Sequence, residues 1–245
     1  MRNADQKRKI GRFYGVGIGP GGPGLVTLRA KEILDAVDVI FAPKANEGSG
    51  SIASSIISAI TSSPKRIRTL IFPMTKDKKI LKTYWMRAAR DITACLKAKK
   101  DVAFLTLGDP LIYSTYIYLL KTLRRHFPEI VSETVCGISS FQAAASKLGL
   151  ALVEGTQTLA LLPVTGNFRA MRDALRKFDT VVFMKIGTKL AQLVRLLNET
   201  KLVKKAVLVS RLGQPGEQIV HDLNGLEDKR LGYLSVVIVK RKKEC

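Results

Sequence analysis

The sequence has few of the residues that build metal centres and disulfide frameworks. It contains three cysteines and two histidines among its 245 residues. Cys95, Cys136 and Cys245 form no C-x-x-C pair, and His126 and His221 lie far apart in sequence. This spacing is not typical of a zinc site or of a small domain stapled by disulfides. We therefore expect no metal ligands and no structural disulfide.

Long apolar segments are also missing. No run reaches the roughly 20 residues that a membrane-spanning helix needs. The first dozen residues are charged, unlike the apolar core of a secretory signal peptide. A hydrophobic content of 46% is nevertheless enough for substantial buried cores. We expect a globular protein of the cytoplasm with no membrane partner.

Acidic residues are scarce relative to basic ones. The chain has 41 Lys and Arg residues against 20 Asp and Glu residues, which gives a formal net charge of +21. Such an excess favours an anionic ligand, either a nucleic acid or a polycarboxylated small molecule, although a basic surface that only aids solubility explains much of it equally well. Aromatic residues interleaved with basic ones, which stacking on bases requires, are not apparent.

One stretch predicts a strand, a sharp turn and a helix. Residues 102–107 are apolar or β-branched, and such an uninterrupted run is typical of a parallel strand buried on both faces. Gly108 ends the strand, Asp109 can accept backbone N–H groups of the next turn, and Pro110 suits the first position of a helix. This arrangement forms the crevice in which open α/β sheets bind ligands, although Gly-Asp-Pro is also a common turn.

Strands and helices alternate up to about residue 128, which predicts a parallel-sheet α/β domain over residues 1–128. Strands outnumber helices afterwards, which predicts a mixed sheet in a second α/β domain over residues 129–245. The first strand, at 13–18, leads into the glycine-rich segment 19–24. Two prolines in that segment argue against a dinucleotide fingerprint, and Thr27 can cap the helix predicted to follow.

A second polar turn follows the strand predicted at 130–135. Residues 136–140 read Cys-Gly-Ile-Ser-Ser and precede a helix of small residues over 141–148. Serine hydroxyls and the N–H groups at a helix start can bind a carboxylate. Ser140 is equally interpretable as an ordinary helix cap.

The chain resembles the tetrapyrrole methyltransferases of cobalamin synthesis, and within them the C-20 branch that acts on precorrin-2 or cobalt-factor II. The likeness covers almost all of residues 13–240. It is carried by Tyr84-Trp85, Gly108-Asp109-Pro110 and Tyr113-Ser114-Thr115, together with further segments. Those further segments are Ala42-Pro43-Lys44, 181–185, 210–213 and 233–235.

The resemblance implies an S-adenosylmethionine-dependent C-methyltransferase. It further implies two α/β domains of the tetrapyrrole methylase fold, with the cofactor in the cleft between them, a homodimer, a tetrapyrrole substrate and no nucleic-acid partner. The residues to which it assigns cofactor binding are Pro20, Gly108, Asp109, Ile112, Tyr113, Ser114, Thr115, Ser139, Ser140, Met184, Lys185, Arg211, Leu234 and Ser235.

The sequence departs from the family pattern at two loops. Gly22 and Gly24 stand where an acidic residue is usual, and Cys136 stands where proline is usual, so we do not interpret Cys136 as a nucleophile. Methyl transfer is a single displacement that requires alignment of the reactants and exclusion of water, and the sequence identifies no catalytic base. Two alternatives are another methyltransferase of the superfamily, such as one acting on ribosomal RNA ribose, and a non-enzymatic nucleic-acid-binding module.

Overall fold

The structure is a computed structural model that describes residues 9–46, 48, 51–61, 67–226 and 234–241. The chain divides into two compact units, unit 1 (Met1–Ser139) and unit 2 (Ser140–Cys245). Each unit is built around its own five-stranded sheet. Within the described ranges, no helix is both long enough and apolar enough to cross a membrane.

Unit 1 contains a parallel sheet, as predicted, with the strand order β3-β2-β4-β1-β5. The strands are β1 (Phe13–Gly17), β2 (Val39–Lys44), β3 (Ile67–Ile71), β4 (Val102–Thr106) and β5 (Ser132–Val135). The helices are α1 (Leu28–Ala36), α2 (Ile52–Ser58), α3 (Lys78–Lys97) and α4 (Thr115–His126). Because all the strands point the same way, their carboxyl ends lie at one edge of the sheet.

Each face of this sheet is buried under its own set of helices. Phe13 and Phe104 belong to a core that includes residues of α3 and α4, whereas Val16 and Leu105 belong to a second core with residues of α1 and α2. Successive strand residues point to opposite faces. This explains why the central strand β4 is buried at every position, and it confirms the predicted buried parallel strand, which ends at Thr106.

The last strand of unit 1 lies beyond the domain boundary predicted at 128/129. β5 pairs in parallel with β1, from Phe13 opposite Ser132 to Val16 opposite Val135. The first unit therefore extends to Ser139. Local sequence patterns do not reveal which distant strand a segment joins, and the alternation of elements alone placed the boundary too early.

Unit 2 contains the predicted mixed sheet, with the order β6-β7-β10-β8-β9. The strands are β6 (Leu159–Pro163), β7 (Thr180–Met184), β8 (Ala206–Ser210), β9 (Gln218–Val220) and β10 (Ser235–Lys240), and the helices are α5 (Ser140–Leu148), α6 (Phe168–Lys177) and α7 (Leu190–Glu199). β6 and β7 are parallel, whereas β10 runs antiparallel to both β7 and β8. The carboxyl ends of β7 and β8 therefore share an edge with the amino end of β10.

Two helix starts show how capping residues set the boundaries. Thr27 caps α1 by accepting a hydrogen bond from Ala30 N at 3.2 Å, as predicted, and the helix begins at Leu28 because residues 23–25 form a separate 3₁₀ turn. The helix after β4 begins at Thr115 and is capped by Ser114. The expectation that Pro110 opens this helix was wrong, because residues 107–113 form a loop.

Candidate functional site

The carboxylate of Asp109 connects two loops at the carboxyl edge of the unit 1 sheet. One oxygen accepts a hydrogen bond from Leu111 N at 2.8 Å, within the turn that follows β4. The other accepts from Gly137 N at 3.2 Å, in the loop that follows β5. The first contact was expected from the sequence. The second was not, and it shows that Asp109 fixes the spacing of the two loops as well as the shape of its own turn.

Glycines allow the backbones to pack against one another at this edge. A Cβ atom on Gly17 would lie 2.7 Å from the carbonyl oxygen of Gly108, and one on Gly137 would lie 2.3 Å from the same oxygen. Gly108 has a φ of +69°, and its N–H donates to the carbonyl of Gly19 at 2.8 Å. Side chains cannot enter these contacts, so the loops after β1, β4 and β5 form a close-packed backbone layer.

A buried pair of hydroxyls closes the loop after β4. Thr106 Oγ1 and Ser114 Oγ lie 2.9 Å apart, and both side chains are buried. Ser114 Oγ also accepts a hydrogen bond from Tyr116 N at 3.0 Å. The end of β4 is thereby joined to the start of α4. Sequence reasoning missed Thr106, although a hydroxyl residue on either side of a Gly-Asp-Pro turn was the available signal.

The ring of Tyr116 holds α4 close to the sheet. It is fully buried, and a Cβ atom on Gly15 would lie 2.0 Å from it, so glycine is required in β1 beneath the ring. The Tyr116 hydroxyl and Thr134 Oγ1 lie 2.7 Å apart, which connects α4 to β5. Burial raises the pKa of Tyr116. The group therefore stays neutral and serves this contact.

The other predicted residues of unit 1 surround the same turn. Tyr113 has a φ of +49° and remains 37% exposed, and partial burial raises the pKa of its hydroxyl. Leu111 is 58% exposed, which adds apolar surface beside the turn. The remaining predicted residues on this edge are Pro20 and Ser139, which are buried, and Ile112 and Thr115, which are half-buried.

Five predicted residues of unit 2 share one edge of its sheet. Met184 is the last residue of β7, and Lys185 follows it. Arg211 follows β8, and its N–H donates to the carbonyl of Leu234 at 2.9 Å, just before β10 begins at Ser235. The antiparallel direction of β10 is what brings its first residues to this edge. Ser140, the sixth predicted residue of the unit, is the first residue of α5.

A buried hydroxyl pair also supports this second edge. Ser235 Oγ donates to Ser210 Oγ at 3.0 Å, between the paired strands β10 and β8. Next to it, Gly213 N donates to Glu217 Oε2 at 2.6 Å, and Glu217 forms an ion pair with Lys147 at 3.1 Å. The backbone hydrogen bond first, and Lys147 second, lower the pKa of the Glu217 carboxyl. These contacts order the turn that follows Arg211.

Left-handed backbone marks three of the predicted residues. Within the described part of the chain, five non-glycine residues have positive φ. Lys99 and Lys201 directly follow the last turns of α3 and α7, where this conformation is common. The other three are Tyr113, Lys185 and Arg211, at φ values of +49°, +56° and +53°. Strained backbone of this kind clusters at functional sites.

The chemistry that these groups offer is binding and alignment. The two edges present hydroxyls, backbone N–H groups, apolar surface and the cations Lys185 and Arg211. Among the residues that the structure describes, no group of three His, Cys, Asp or Glu side chains is placed to hold a metal ion. Cys136 is exposed in the loop after β5 and Cys95 is half-buried on α3.

Comparison with known proteins shows similarity over nearly the whole chain. The family model for tetrapyrrole (corrin/porphyrin) methylases matches residues 12–225. Cobalt-precorrin-2 C(20)-methyltransferase of Salmonella typhimurium is 34% identical, and its probable counterpart in Methanocaldococcus jannaschii is 37% identical, with 96% of this chain and 98% of each relative covered. Precorrin-2 C(20)-methyltransferase of a Sinorhizobium species is 31% identical over 94% of this chain and 95% of its own.

Solved structures share the fold at lower identity. A cobalt precorrin-4 methyltransferase superposes with a TM-score of 0.73 at 19% identity, covering 94% of both chains. A uroporphyrin-III C-methyltransferase from Thermus thermophilus, crystallised with S-adenosyl homocysteine, gives a TM-score of 0.64 at 19% identity and covers 94% of this chain and 97% of its own.

Proposed function

This chain belongs to the tetrapyrrole (corrin/porphyrin) methylases, and on that premise we propose that it transfers a methyl group from S-adenosylmethionine to carbon 20 of precorrin-2 or its cobalt form, in cobalamin biosynthesis. The observation that carries the proposal is the 34–37% identity, over 96% of the chain, to proteins named C(20)-methyltransferases. The order and spacing of the turns at the two sheet edges are consistent with it.

The residues present fit the methyl donor. S-adenosylmethionine has a planar adenine, ribose hydroxyls, a sulfonium and an amino-acid end. In unit 1, the exposed side chains of Leu111 and Tyr113 offer apolar surface, while the buried hydroxyl of Ser114 holds the loop in place through Thr106. In unit 2, the half-buried side chains of Met184 and Leu234 offer apolar surface at the edge that the Ser235–Ser210 pair supports. We assign cofactor binding to twelve of the fourteen residues named from the sequence, all except Lys185 and Arg211.

The reaction requires the protein to align the methyl donor with the acceptor carbon. When bound, S-adenosylmethionine supplies a methyl group that carbon 20 takes in one displacement: the carbon–carbon bond forms as the carbon–sulfur bond breaks, S-adenosylhomocysteine leaves, and the methylated carbon gives up its proton. Asp109 holds the loop spacing through Gly137 N, and the Thr106–Ser114 pair holds the turn, so binding groups are positioned before the ligands arrive. No covalent nucleophile is required.

The oligomeric state, the cellular location and the metal content of the substrate are part of the same proposal. We propose a homodimer located in the cytoplasm, and either the metal-free or the cobalt-containing tetrapyrrole as the natural substrate. The relatives support both substrate forms, since two are named for cobalt-precorrin-2 and one for precorrin-2. Analytical ultracentrifugation tests the dimer, and cell fractionation tests the location.

The deciding experiment assays purified protein with S-adenosylmethionine and each of the two tetrapyrroles. We expect S-adenosylhomocysteine to form in proportion to a product that has gained one methyl group, with carbon 20 identified as the acceptor by labelling the donor methyl with ¹³C. The ratio of kcat/KM for the two substrates decides which form is natural. Methylation of another carbon, or of neither tetrapyrrole, would contradict the proposal.

RNA is the second candidate substrate, because the chain has a formal net charge of +21. Binding through about six phosphate contacts would lose on the order of a thousandfold in affinity between low and physiological salt. We therefore expect weak, strongly salt-dependent RNA binding and a shallower salt dependence for the tetrapyrrole, both measured with S-adenosylhomocysteine present. Tight RNA binding at physiological salt without tetrapyrrole binding would favour the RNA methyltransferase instead.

A further inference from the structure

We propose that the side chains of Lys185 and Arg211 form a clamp for the carboxylates of the tetrapyrrole substrate, an assignment that rests on the proposed function. The two residues occupy equivalent places in unit 2, each directly after a strand that ends at the same sheet edge. Cofactor contact, the role implied by the resemblance, does not by itself explain why both positions hold a long cationic side chain.

The sheet sets the spacing of the clamp. β10 lies between β7 and β8 in the strand order, so Lys185 and Arg211 are two strand spacings apart, or about 9–10 Å. Leu234 and Ser235 lie between them at the start of β10. A separation of this size suits two carboxylates on the rim of a macrocycle better than the two oxygens of one carboxylate.

The backbone gives an independent reason to assign a role to these side chains. Lys185 and Arg211 have φ values of +56° and +53°, in the region where glycine is favoured and side chains are strained. The backbone hydrogen bonds around Arg211 do not involve its side chain, since Arg211 N donates to Leu234 O and Arg211 O accepts from Gln214 N. Glycine would satisfy this backbone with less strain, and Lys185 and Arg211, unlike Lys99 and Lys201, follow strands at a sheet edge instead of closing a helix.

The chemistry matches the substrate class. Precorrin-2 and its cobalt form carry acetate and propionate groups around the ring, and lysine and arginine bind carboxylates through charge-assisted hydrogen bonds. Arg211 is exposed and Lys185 is half-buried, and Lys189, on the segment that follows β7, donates to the carbonyl of Val164 at 3.4 Å. The cationic edge of unit 2 therefore places positive charge beside residues assigned to cofactor binding.

Glycine substitutions separate a ligand-binding role from a structural one. We would compare Lys185→Gly and Arg211→Gly with Lys99→Gly and Lys201→Gly, which have the same positive φ but follow helices. All four changes should raise the melting temperature by a few degrees, because each relieves backbone strain. Only the first two should raise the KM for the tetrapyrrole, by roughly tenfold or more for each lost charged contact, with the Kd for S-adenosylhomocysteine nearly unchanged.

A second pair of variants isolates the charge. Lys185→Met and Arg211→Met keep an unbranched side chain and the backbone strain but remove the charge, so their melting temperatures should stay close to that of the wild type while the KM rises as in the glycine variants. The wild-type KM should also rise with ionic strength, and this dependence should be weaker in either variant. Circular dichroism checks that every variant is folded.

The possible outcomes are distinct. A lower affinity for S-adenosylhomocysteine with an unchanged tetrapyrrole KM would make these residues cofactor contacts and overturn the clamp while leaving the proposed function in place. Unchanged binding of both ligands would leave only a structural role and would also overturn it. Failure of the wild type to methylate either tetrapyrrole would refute the proposed function, and the clamp with it.

Discussion

The candidate edge of unit 1 is built mainly from backbone, whereas that of unit 2 presents side chains on strained backbone. In unit 1, Gly17 and Gly137 approach the carbonyl of Gly108 so closely that a Cβ atom cannot enter. In unit 2, Lys185 and Arg211 keep side chains at φ values that favour glycine. Unit 1 thus uses glycine where loops must touch, and unit 2 retains cations where glycine would be less strained.

This contrast separates two ways of preparing a site. Contacts among backbones fix loop positions with little conformational freedom, so small changes there should affect folding and ligand binding together. Exposed side chains at a sheet edge contribute little to packing, so changes there should affect binding far more than stability. The following predictions test the contrast, from the largest expected effect to the smallest.

Gly137→Ala should damage unit 1 most. The added Cβ atom would lie 2.3 Å from the Gly108 carbonyl oxygen, and relieving that overlap means moving a backbone held by Asp109. We expect a loss of about 3 kcal/mol or more in the free energy of unfolding, measured by urea denaturation. Gly166→Ala is the counterpart in the loop after β6 of unit 2, where a Cβ atom would meet nothing within 4 Å. Equal losses for both variants would contradict the comparison.

Asp109→Ala should weaken S-adenosylhomocysteine binding by roughly 1.5–3 kcal/mol, because Leu111 N and Gly137 N lose the charged acceptor that holds the two loops together. Isothermal titration calorimetry measures the change. The affinity of Asp109→Asn should be intermediate between those of the wild type and Asp109→Ala, because its single amide oxygen can replace only one of the two carboxylate oxygens as an acceptor. Unchanged cofactor affinity in folded Asp109→Ala would remove Asp109 from the site.

Thr106→Val should lower the free energy of unfolding by about 1–2 kcal/mol, because Ser114 in the loop after β4 loses its buried hydroxyl partner. Cofactor affinity should fall with stability, and Thr106→Ser should restore both. Thr93→Val is the matched control, since Thr93 is also buried but bonds only to the carbonyl of Ala89 within α3. Thr93→Val should leave cofactor affinity unchanged. If it weakened cofactor binding as much as Thr106→Val does, the loop after β4 would not be specifically involved.

Lowering the pH should affect unit 2 slightly, through Glu217. Its folded pKa lies below the ordinary value of 4.5, so its contribution to stability is fully present above that value and is lost as the pH falls through the folded pKa. Melting temperatures measured across this acid range should fall less steeply for Glu217→Gln than for the wild type. Parallel curves would show that the contacts with Gly213 and Lys147 contribute no measurable stability.

Local sequence was sufficient for the framework of the site but not for its contacts. The apolar run before Gly108, the two sheet types and the Thr27 cap were predicted because each depends on neighbouring residues. The pairing of β5 with β1 and the bond from Gly137 N to Asp109 join distant segments, and no local pattern reports them. The left-handed backbone of Lys185 and Arg211 was also unpredictable, since neither residue type favours it. The cofactor contacts remain predictions.

The position of β1 in its sheet has a consequence for how the protein is made. Its two neighbours are β4 and β5, so β1 has no sheet partner until Val102 and the residues after it have been synthesised. Pairings between such distant segments form slowly and leave apolar strands exposed meanwhile. Unit 1 can complete its sheet only when the chain has been translated as far as β5, so the pairing of the second edge of β1, with β5, is a late step in its synthesis.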